Sequence, residues 1–127
     1  MKTAILIVDD SKLARIVVAK AIAALQPDWD RVEAGNAEQA MQQMASRRID
    51  VALLDYNMPG KNGLELAKDL RDLHPKMPIA ILTANVQDEI LAAARAVGAA
   101  FVSKPITEDA LRGFIGQADE HMRASHP

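Results

Sequence analysis

The sequence predicts a doubly wound α/β sandwich, in which five βα units surround one parallel sheet. Short apolar runs alternate five times with longer helical patterns along the 127 residues. The strand segments are apolar throughout instead of at every second position, which is typical of strands covered on both faces. A closed α/β barrel typically needs about 250 residues, so the chain length favours an open sheet.

Each predicted strand is a short run of mostly apolar residues. In chain order the runs are Ala4 to Val8, Arg31 to Ala34, Val51 to Leu54, Pro78 to Leu82 and Ala100 to Val102. The second run is the weakest of the five. A helix between successive strands makes the strands parallel, with right-handed crossovers. The expected strand order is 2-1-3-4-5, which reverses between the first and third strands.

The first predicted helix spans Ser11 to Leu25, and Pro27 lies just beyond its end. Its apolar residues recur near helical spacing, a pattern that predicts one apolar face toward the sheet. They are Leu13, Ile16, Val17, Ala21, Ala24 and Leu25.

The other helices are predicted from caps and apolar spacing. Asn36, with Gln39 three residues on, predicts a capping box at the start of the second helix. The third helix carries Leu66, Ala67, Leu70 and Leu73. The fourth, rich in alanine, runs from about Gln87 to Val97, and Gly98 is its expected cap. Thr107 caps the fifth helix.

Length and composition predict one domain over residues 1–122, followed by a short polar tail at 123–127. The chain has no cysteine, which excludes disulfides and cysteine metal sites and suits a cytoplasmic protein. A net charge of −2 and 3% aromatic residues argue against direct nucleic-acid binding. No apolar run approaches the length of a membrane span, so no membrane partner is expected.

Four strands deliver polar side chains at or just past their carboxyl ends. Asp9 and Asp10 follow the first strand and Asp55 follows the third, while Thr83 closes the fourth and Lys104 comes after the fifth. The carboxyl ends of parallel strands share one edge of the sheet, so we expect these side chains to converge. Ligands of open α/β sheets bind at this edge, where the strand order reverses.

Three clustered carboxylates repel one another unless a cation joins them, and hard oxygen ligands suit Mg²⁺. Asp55 would then keep one oxygen available to attack phosphorus, as nucleophilic carboxylates do. Lys104 can hold a phosphoryl oxygen by its charge, and Thr83 can donate a hydrogen bond to another. The charges of three aspartates, Mg²⁺ and Lys104 sum to zero before a phosphoryl group arrives.

These residues lie in four short motifs, together with Phe101. The motifs are Val8-Asp9-Asp10-Ser11, Leu54-Asp55-Tyr56-Asn57-Met58-Pro59, Leu82-Thr83-Ala84 and Ser103-Lys104-Pro105. In this order they resemble the receiver domains of bacterial two-component response regulators, most closely the stand-alone, chemotaxis-type members. The motifs span nearly the whole chain. The resemblance implies a flavodoxin-like fold and a receiver domain over residues 1–122.

The resemblance also implies a site chemistry. Asp55 would accept a phosphoryl group from a histidine kinase or phosphotransfer protein in a Mg²⁺-dependent reaction. Asp10, Asp55 and the backbone carbonyl of Asn57 would coordinate the ion, and Asp9 would help through water. Asn57 and Asn85 occupy positions that influence the lifetime of the phosphoryl group in this family.

The resemblance further implies a switch. The hydroxyl of Thr83 would move toward the phosphoryl group while the Phe101 ring turns inward, and the Lys104–Pro105 bond would be cis. Output would pass to a downstream protein through the face formed by the fourth helix, fifth strand and fifth helix. Asn62 stands where many relatives carry aspartate.

The sequence favours a phosphoacceptor switch, whose chemistry is limited to self-phosphorylation and self-dephosphorylation, over three other functions. A haloacid-dehalogenase-type phosphatase needs Asp-x-Asp-x-Thr, and the segment 55–59 lacks the second aspartate. A flavodoxin-like mononucleotide binder needs a phosphate loop after the first strand, and the segment 9–12 carries the wrong charge. A receiver that no longer accepts phosphate is disfavoured because every site position is filled.

Overall fold

The computed structural model describes residues 2–85 and 87–125, within which five strands alternate strictly with five helices. The strands are β1 (Ala4–Val8), β2 (Asp30–Ala34), β3 (Val51–Asp55), β4 (Ile79–Thr83) and β5 (Ala100–Ser103). The helices are α1 (Lys12–Leu25), α2 (Ala37–Ser46), α3 (Gly63–Leu73), α4 (Asp88–Ala96) and α5 (Glu108–Ser125). Helix α5 thus continues into the segment predicted as a polar tail, and residues 126 and 127 lie outside the described range.

The five strands form one parallel sheet in the order β2-β1-β3-β4-β5. This confirms the predicted doubly wound fold and strand order. The order reverses between β1 and β3, so the loops after these two strands leave the sheet on opposite sides. A crevice therefore opens at the carboxyl edge, beside the residues that follow β1 and those that close β3.

Two apolar layers cover the sheet. Residues of β1 alternate between them: Leu6 and Val8 pack with α2, α3 and α4, whereas Ile5 and Ile7 pack with α1 and α5. Burial on both faces explains why the strands are apolar at every position. None of the described helices has the length and apolar character of a membrane-spanning helix.

Helix α1 buries a narrower stripe than its sequence predicts. Val18, Ala21 and Ile22 are buried, but Leu13 is 72% exposed and Val17 is 47% exposed. The predicted apolar face is therefore only partly correct. Apolar residues cover more than one stripe of this helix, and periodicity alone does not tell which stripe meets the sheet.

The helix caps differ between α2 and α3. Asn36 accepts a hydrogen bond from the Gln39 N–H, but the Gln39 side chain accepts from Gly35 instead of Asn36, so the predicted box is incomplete. The complete capping box is at α3, where Asn62 and Glu65 each accept from the other's backbone N–H. Asn36 is nearly fully extended, with φ −164°, whereas Asn62 has φ −79°.

Arg71 ties together two turns at the amino edge of the sheet. Its guanidinium donates to the carbonyl oxygens of His74, Pro75, Met77, Val97 and Gly98 at 2.7–3.3 Å. Burial lowers the pKa of Arg71 below its usual range, yet a guanidinium stays charged at neutral pH. The carbonyl ends of α3 and α4 thus share one cation, which suits the negative ends of two helix dipoles. Gly98 has φ +69°, as a left-handed cap requires.

Gly63, the first residue of α3, packs directly on the end of β3. A Cβ here would collide with the Asp55 carbonyl oxygen and lie 3.1 Å from the Tyr56 Cα. Backbone atoms cannot rotate away, so α3 and β3 would have to separate. We expect Gly63→Ala to lower the free energy of unfolding by about 2–3 kcal/mol, measured by urea denaturation.

Gly113 in α5 provides the matched control, because a Cβ there meets nothing within 4 Å. Gly113→Ala should raise the free energy of unfolding by about 0.5–1 kcal/mol, since alanine restricts the unfolded chain and favours helix. If Gly63→Ala were as harmless as this control, the close approach of α3 to β3 would be refuted.

Candidate functional site

Three aspartates gather at the carboxyl edge of the sheet. Asp55 is the last residue of β3, and Asp9 and Asp10 follow β1. One carboxylate oxygen from each residue lies within 4.8 Å of the other two. Asp9 and Asp55 are buried, whereas Asp10 is exposed. The cluster is therefore open to solvent on the side of Asp10.

Asp9 shows the electrostatic strain of this arrangement. Burial raises the pKa of its carboxyl above the ordinary value, and the negative charges of Asp55 and Asp10 act in the same direction. A hydrogen bond from the Ser11 N–H to Asp9 Oδ1 at 2.9 Å opposes the rise, as does the charge of Lys104. A cation bound among these acids would relieve the repulsion.

Lys104 reaches the cluster from the fifth strand. Its Nζ lies 2.7 Å from Asp55 Oδ1, and the Asp55 side chain is only 4% exposed. The Lys104 N–H donates to the Thr83 carbonyl at 2.9 Å, which extends the pairing of β4 and β5 by one bond. The Lys104–Pro105 peptide bond is cis, the isomer that the resemblance implies. The ammonium is thus carried by a backbone segment fixed to its neighbouring strand.

Thr83 closes β4 and is buried. Its hydroxyl oxygen accepts a hydrogen bond from the Asn85 N–H at 2.9 Å, so the side chain is linked to the loop before α4. In the register of β4 and β5, Phe101 pairs with Ile81 and Ser103 pairs with Thr83. The half-buried Phe101 therefore lies on the same face of the sheet as Thr83, two residues further from the carboxyl edge.

The two asparagines of the resemblance lie on exposed loops at the rim. Asn57 follows β3, and Asn85 follows β4. The first loop is held at both ends, because the Tyr56 N–H donates to Leu82 and the Gly63 N–H donates to the Tyr56 carbonyl. Of the residues implicated by the sequence, the structure brings together the three aspartates and Lys104. Asn57 and Asn85 lie in the loops that follow β3 and β4, and Phe101 lies on β5, two residues before its last residue.

Sequence reasoning missed Arg15 and Glu33. Arg15 Nη1 donates to the backbone carbonyl of Asp9 at 2.6 Å, and its Nε lies 3.0 Å from Glu33 Oε1. Neither residue belongs to a motif named above. The only signal in the sequence is the spacing between Asp9 and Arg15, since a side chain in the second turn of α1 can reach back to the end of β1.

A groove of about 320 Å³ runs from the acid cluster along α1. Its walls are mainly apolar and include Leu13, Val17 and Ile106, while Asp9 and Lys104 line the end at the site. The exposed apolar residues of α1 therefore form a surface that is continuous with the carboxylates.

The response regulator receiver domain family matches residues 5–115 of the chain. A curated relative, the cyclic di-GMP phosphodiesterase response regulator RpfG of Xanthomonas campestris, is 37% identical over 85% of this chain. The DNA-binding transcriptional regulator NtrC of Salmonella typhimurium is 31% identical over 92% of it. The chain spans only 29% and 25% of the length of these two relatives.

Solved structures agree with the family match. The chemotaxis protein CheY4 of Vibrio cholerae superimposes with a TM-score of 0.84 and 26% identity. The alignment covers 93% of this chain and 99% of that one. A CheY-like receiver domain protein from Methanospirillum hungatei shares the fold at 23% identity, with a TM-score of 0.86.

The family match covers most of the chain and favours a receiver over the phosphatase and mononucleotide-binding alternatives. Receiver domains interact with histidine kinases and with downstream effectors. The chain belongs to the response regulator receiver domains, and its role is that of a phosphoryl acceptor in two-component signalling.

Proposed function

We propose that Asp55 is the phosphoacceptor and that Mg²⁺ is held beside it by Asp9, Asp10, Asp55 and the Asn57 carbonyl. The observation that carries this proposal is the 2.7 Å contact between Lys104 Nζ and Asp55 Oδ1 within the carboxylate cluster. Among the three acids, Asp55 alone is both buried at a strand end and paired with the ammonium that can receive a phosphoryl oxygen.

The donor set fits a hard divalent ion. It consists of carboxylate oxygens within 4.8 Å of one another, and Mg²⁺ prefers a few carboxylates completed by water. When bound, the ion would neutralise charge on the acids and on the phosphoryl oxygens. Asp10 is exposed, so the cluster can be reached by a hydrated ion and by a phosphodonor.

The proposed reaction is an in-line transfer from a phosphohistidine. An oxygen of Asp55 attacks phosphorus as the P–N bond breaks, and the bonding electron pair goes to the imidazole nitrogen, which takes up a proton. Lys104 moves from Asp55 Oδ1 to a phosphoryl oxygen, and the Thr83 hydroxyl donates to another. Attack of water on phosphorus later breaks the bond between phosphorus and the Asp55 oxygen, which restores the carboxylate and releases inorganic phosphate. Beyond these two self-reactions we propose no enzymatic activity.

The phosphodonor is a histidine kinase or phosphotransfer protein, which we expect to act in the cytoplasm where ATP is available. The groove along α1 supports a protein donor over a small molecule, because its apolar walls adjoin Asp9 and Lys104. Leu13 and Val17 are already exposed there and can be buried by a partner without rearrangement.

Output would begin at Thr83. Its hydroxyl now accepts the Asn85 N–H, so turning toward a phosphoryl oxygen would alter that hydrogen bond and release the loop before α4. Phe101, half-buried on the same face, can then move inward. The face formed by α4, β5 and α5 would change shape and bind the downstream protein.

Acetyl phosphate with Mg²⁺ tests the acceptor. We expect the intact mass of the wild type to rise by one phosphoryl group, whereas Asp55→Asn stays unmodified because it lacks the nucleophile. Asp69→Asn, in an exposed ion pair with Lys61, should behave as the wild type. Modification of Asp55→Asn, or none of the wild type, would refute the assignment.

Thermal melts test the metal. Millimolar Mg²⁺ should stabilise the wild type by about 1–3 kcal/mol, since it binds only the folded cluster. Asp10→Asn should lose most of this gain, and its exposed position makes damage to the core an unsuitable explanation. Equal stabilisation of both proteins would contradict the proposed ligand set, and Asp69→Asn again provides the control.

Thr83→Ala tests the switch. The variant should still accept a phosphoryl group at Asp55, but the change in amide hydrogen exchange of α4 and β5 on phosphorylation should fall several-fold. Thr83→Ser keeps the hydroxyl and should respond as the wild type. A full response in Thr83→Ala would show that the signal leaves the site by another route.

A further inference from the structure

Arg15 joins α1, the end of β1 and β2 beside the acid cluster. The residue lies on α1, and its side chain is only 17% exposed. Its Nη1 donates to the Asp9 carbonyl at 2.6 Å, and its Nε pairs with Glu33 of β2 at 3.0 Å. The guanidinium fork therefore connects the end of β1 to its neighbouring strand and to the helix that follows.

Asp9 is held at three points. Its N–H donates to the Ala34 carbonyl at 3.1 Å, its carboxylate accepts from the Ser11 N–H, and its carbonyl accepts from Arg15. The carbonyl belongs to the planar peptide unit that joins Asp9 to Asp10. Rotation of that unit would change the direction in which the Asp10 side chain leaves the backbone.

Asp10 depends on this backbone for its position. Its side chain is exposed, so packing does not hold it, yet one of its oxygens lies within 4.8 Å of those of Asp9 and Asp55. The Arg15 hydrogen bond to the preceding carbonyl sets the plane of the peptide that carries Asp10. A bond to a charged donor is worth more than a neutral one, which suits it to this task.

We propose that Arg15 is a positioning residue for the metal site, which orients the Asp9–Asp10 peptide so that the Asp10 carboxylate faces Asp55. This inference rests on the proposed Mg²⁺ site. Partners that orient metal ligands typically change affinity by about 10–100-fold when removed.

The direction in which Mg²⁺ affinity changes when Arg15 is removed distinguishes a positioning role from an effect of its charge alone. Arg15 is a cation that contacts the backbone of Asp9, and a cation beside a metal site competes electrostatically with Mg²⁺. If Arg15 acted through charge alone, its removal would strengthen metal binding. If it positions Asp10, its removal weakens binding despite the gain in negative charge.

Isothermal titration of the full chain with Mg²⁺ measures this directly. Arg15→Met keeps the buried methylene stem but loses the charge and every donor, and we expect its Kd to rise at least 10-fold. Arg15→Lys keeps the charge and one donor that can reach the Asp9 carbonyl. Its Kd should therefore lie between those of the wild type and Arg15→Met. Lys12→Ala removes an exposed charge from the first turn of α1 and should bind as tightly as wild type or slightly tighter.

A second readout distinguishes positioning from general loss of structure. The Mg²⁺ concentration that half-saturates phosphorylation by acetyl phosphate should rise in Arg15→Met, while the rate at saturating Mg²⁺ stays near that of the wild type. A variant with a damaged fold would lose the plateau as well. Circular dichroism confirms folding, and if Arg15→Met does not fold, Arg15→Lys decides the question by whether its Kd rises.

The outcomes distinguish the role of Arg15 from the proposed Mg²⁺ site on which it rests. A wild type that does not bind Mg²⁺ overturns both the proposed metal site and the role of Arg15. A wild type that binds, with Arg15→Met binding as tightly or more tightly, overturns the role of Arg15 alone. Weaker binding by Arg15→Met, with Lys12→Ala unaffected, supports it.

Discussion

The repulsion between Asp9 and Asp55, both buried at the carboxyl edge of the sheet, is opposed by the Lys104 ammonium and by a backbone N–H. The proposed chemistry of the site depends on that balance. Burial raises the pKa of Asp9, and the charges of Asp55 and Asp10 act in the same direction. The proposed phosphoryl group on Asp55 would add further negative charge beside these acids, and Lys104 is the cation already in contact with that residue.

The fold supplies this arrangement from residues far apart in sequence. Parallel strands end at one edge, so a side chain at the end of β3 meets one that follows β5. The strands at this edge are buried, and the loops beyond it carry exposed groups such as Asp10 and Asn57. Arg15 adds a link between elements beside this edge, because it holds both the Asp9 carbonyl after β1 and the Glu33 carboxylate on β2.

Much of this architecture could be predicted from the sequence, since strand–helix alternation determines which side chains share an edge. The carboxylates and Lys104 were found because they occur at strand ends. The buried stripe of α1 was mispredicted because Leu13 and Val17 repeat at helical spacing yet point away from the core. The capping box at Asn62 carries the same signature in the sequence, with Glu65 three residues on, and was overlooked. The contact of Arg15 with the Asp9 carbonyl depends on backbone geometry that no pattern of residue types records.

Arg71 gives the molecule an asymmetry between its two ends. Five hydrogen bonds from one guanidinium anchor the exits of α3 and α4 at the end of the sheet remote from the aspartates. The exit of α4 is therefore anchored, while Asn85, three residues before the first residue of α4, donates its N–H to the Thr83 hydroxyl. If a change at the aspartates reaches α4 through Asn85, we expect the helix to tilt about its anchored end, because sliding along its axis would break the hydrogen bonds of Arg71.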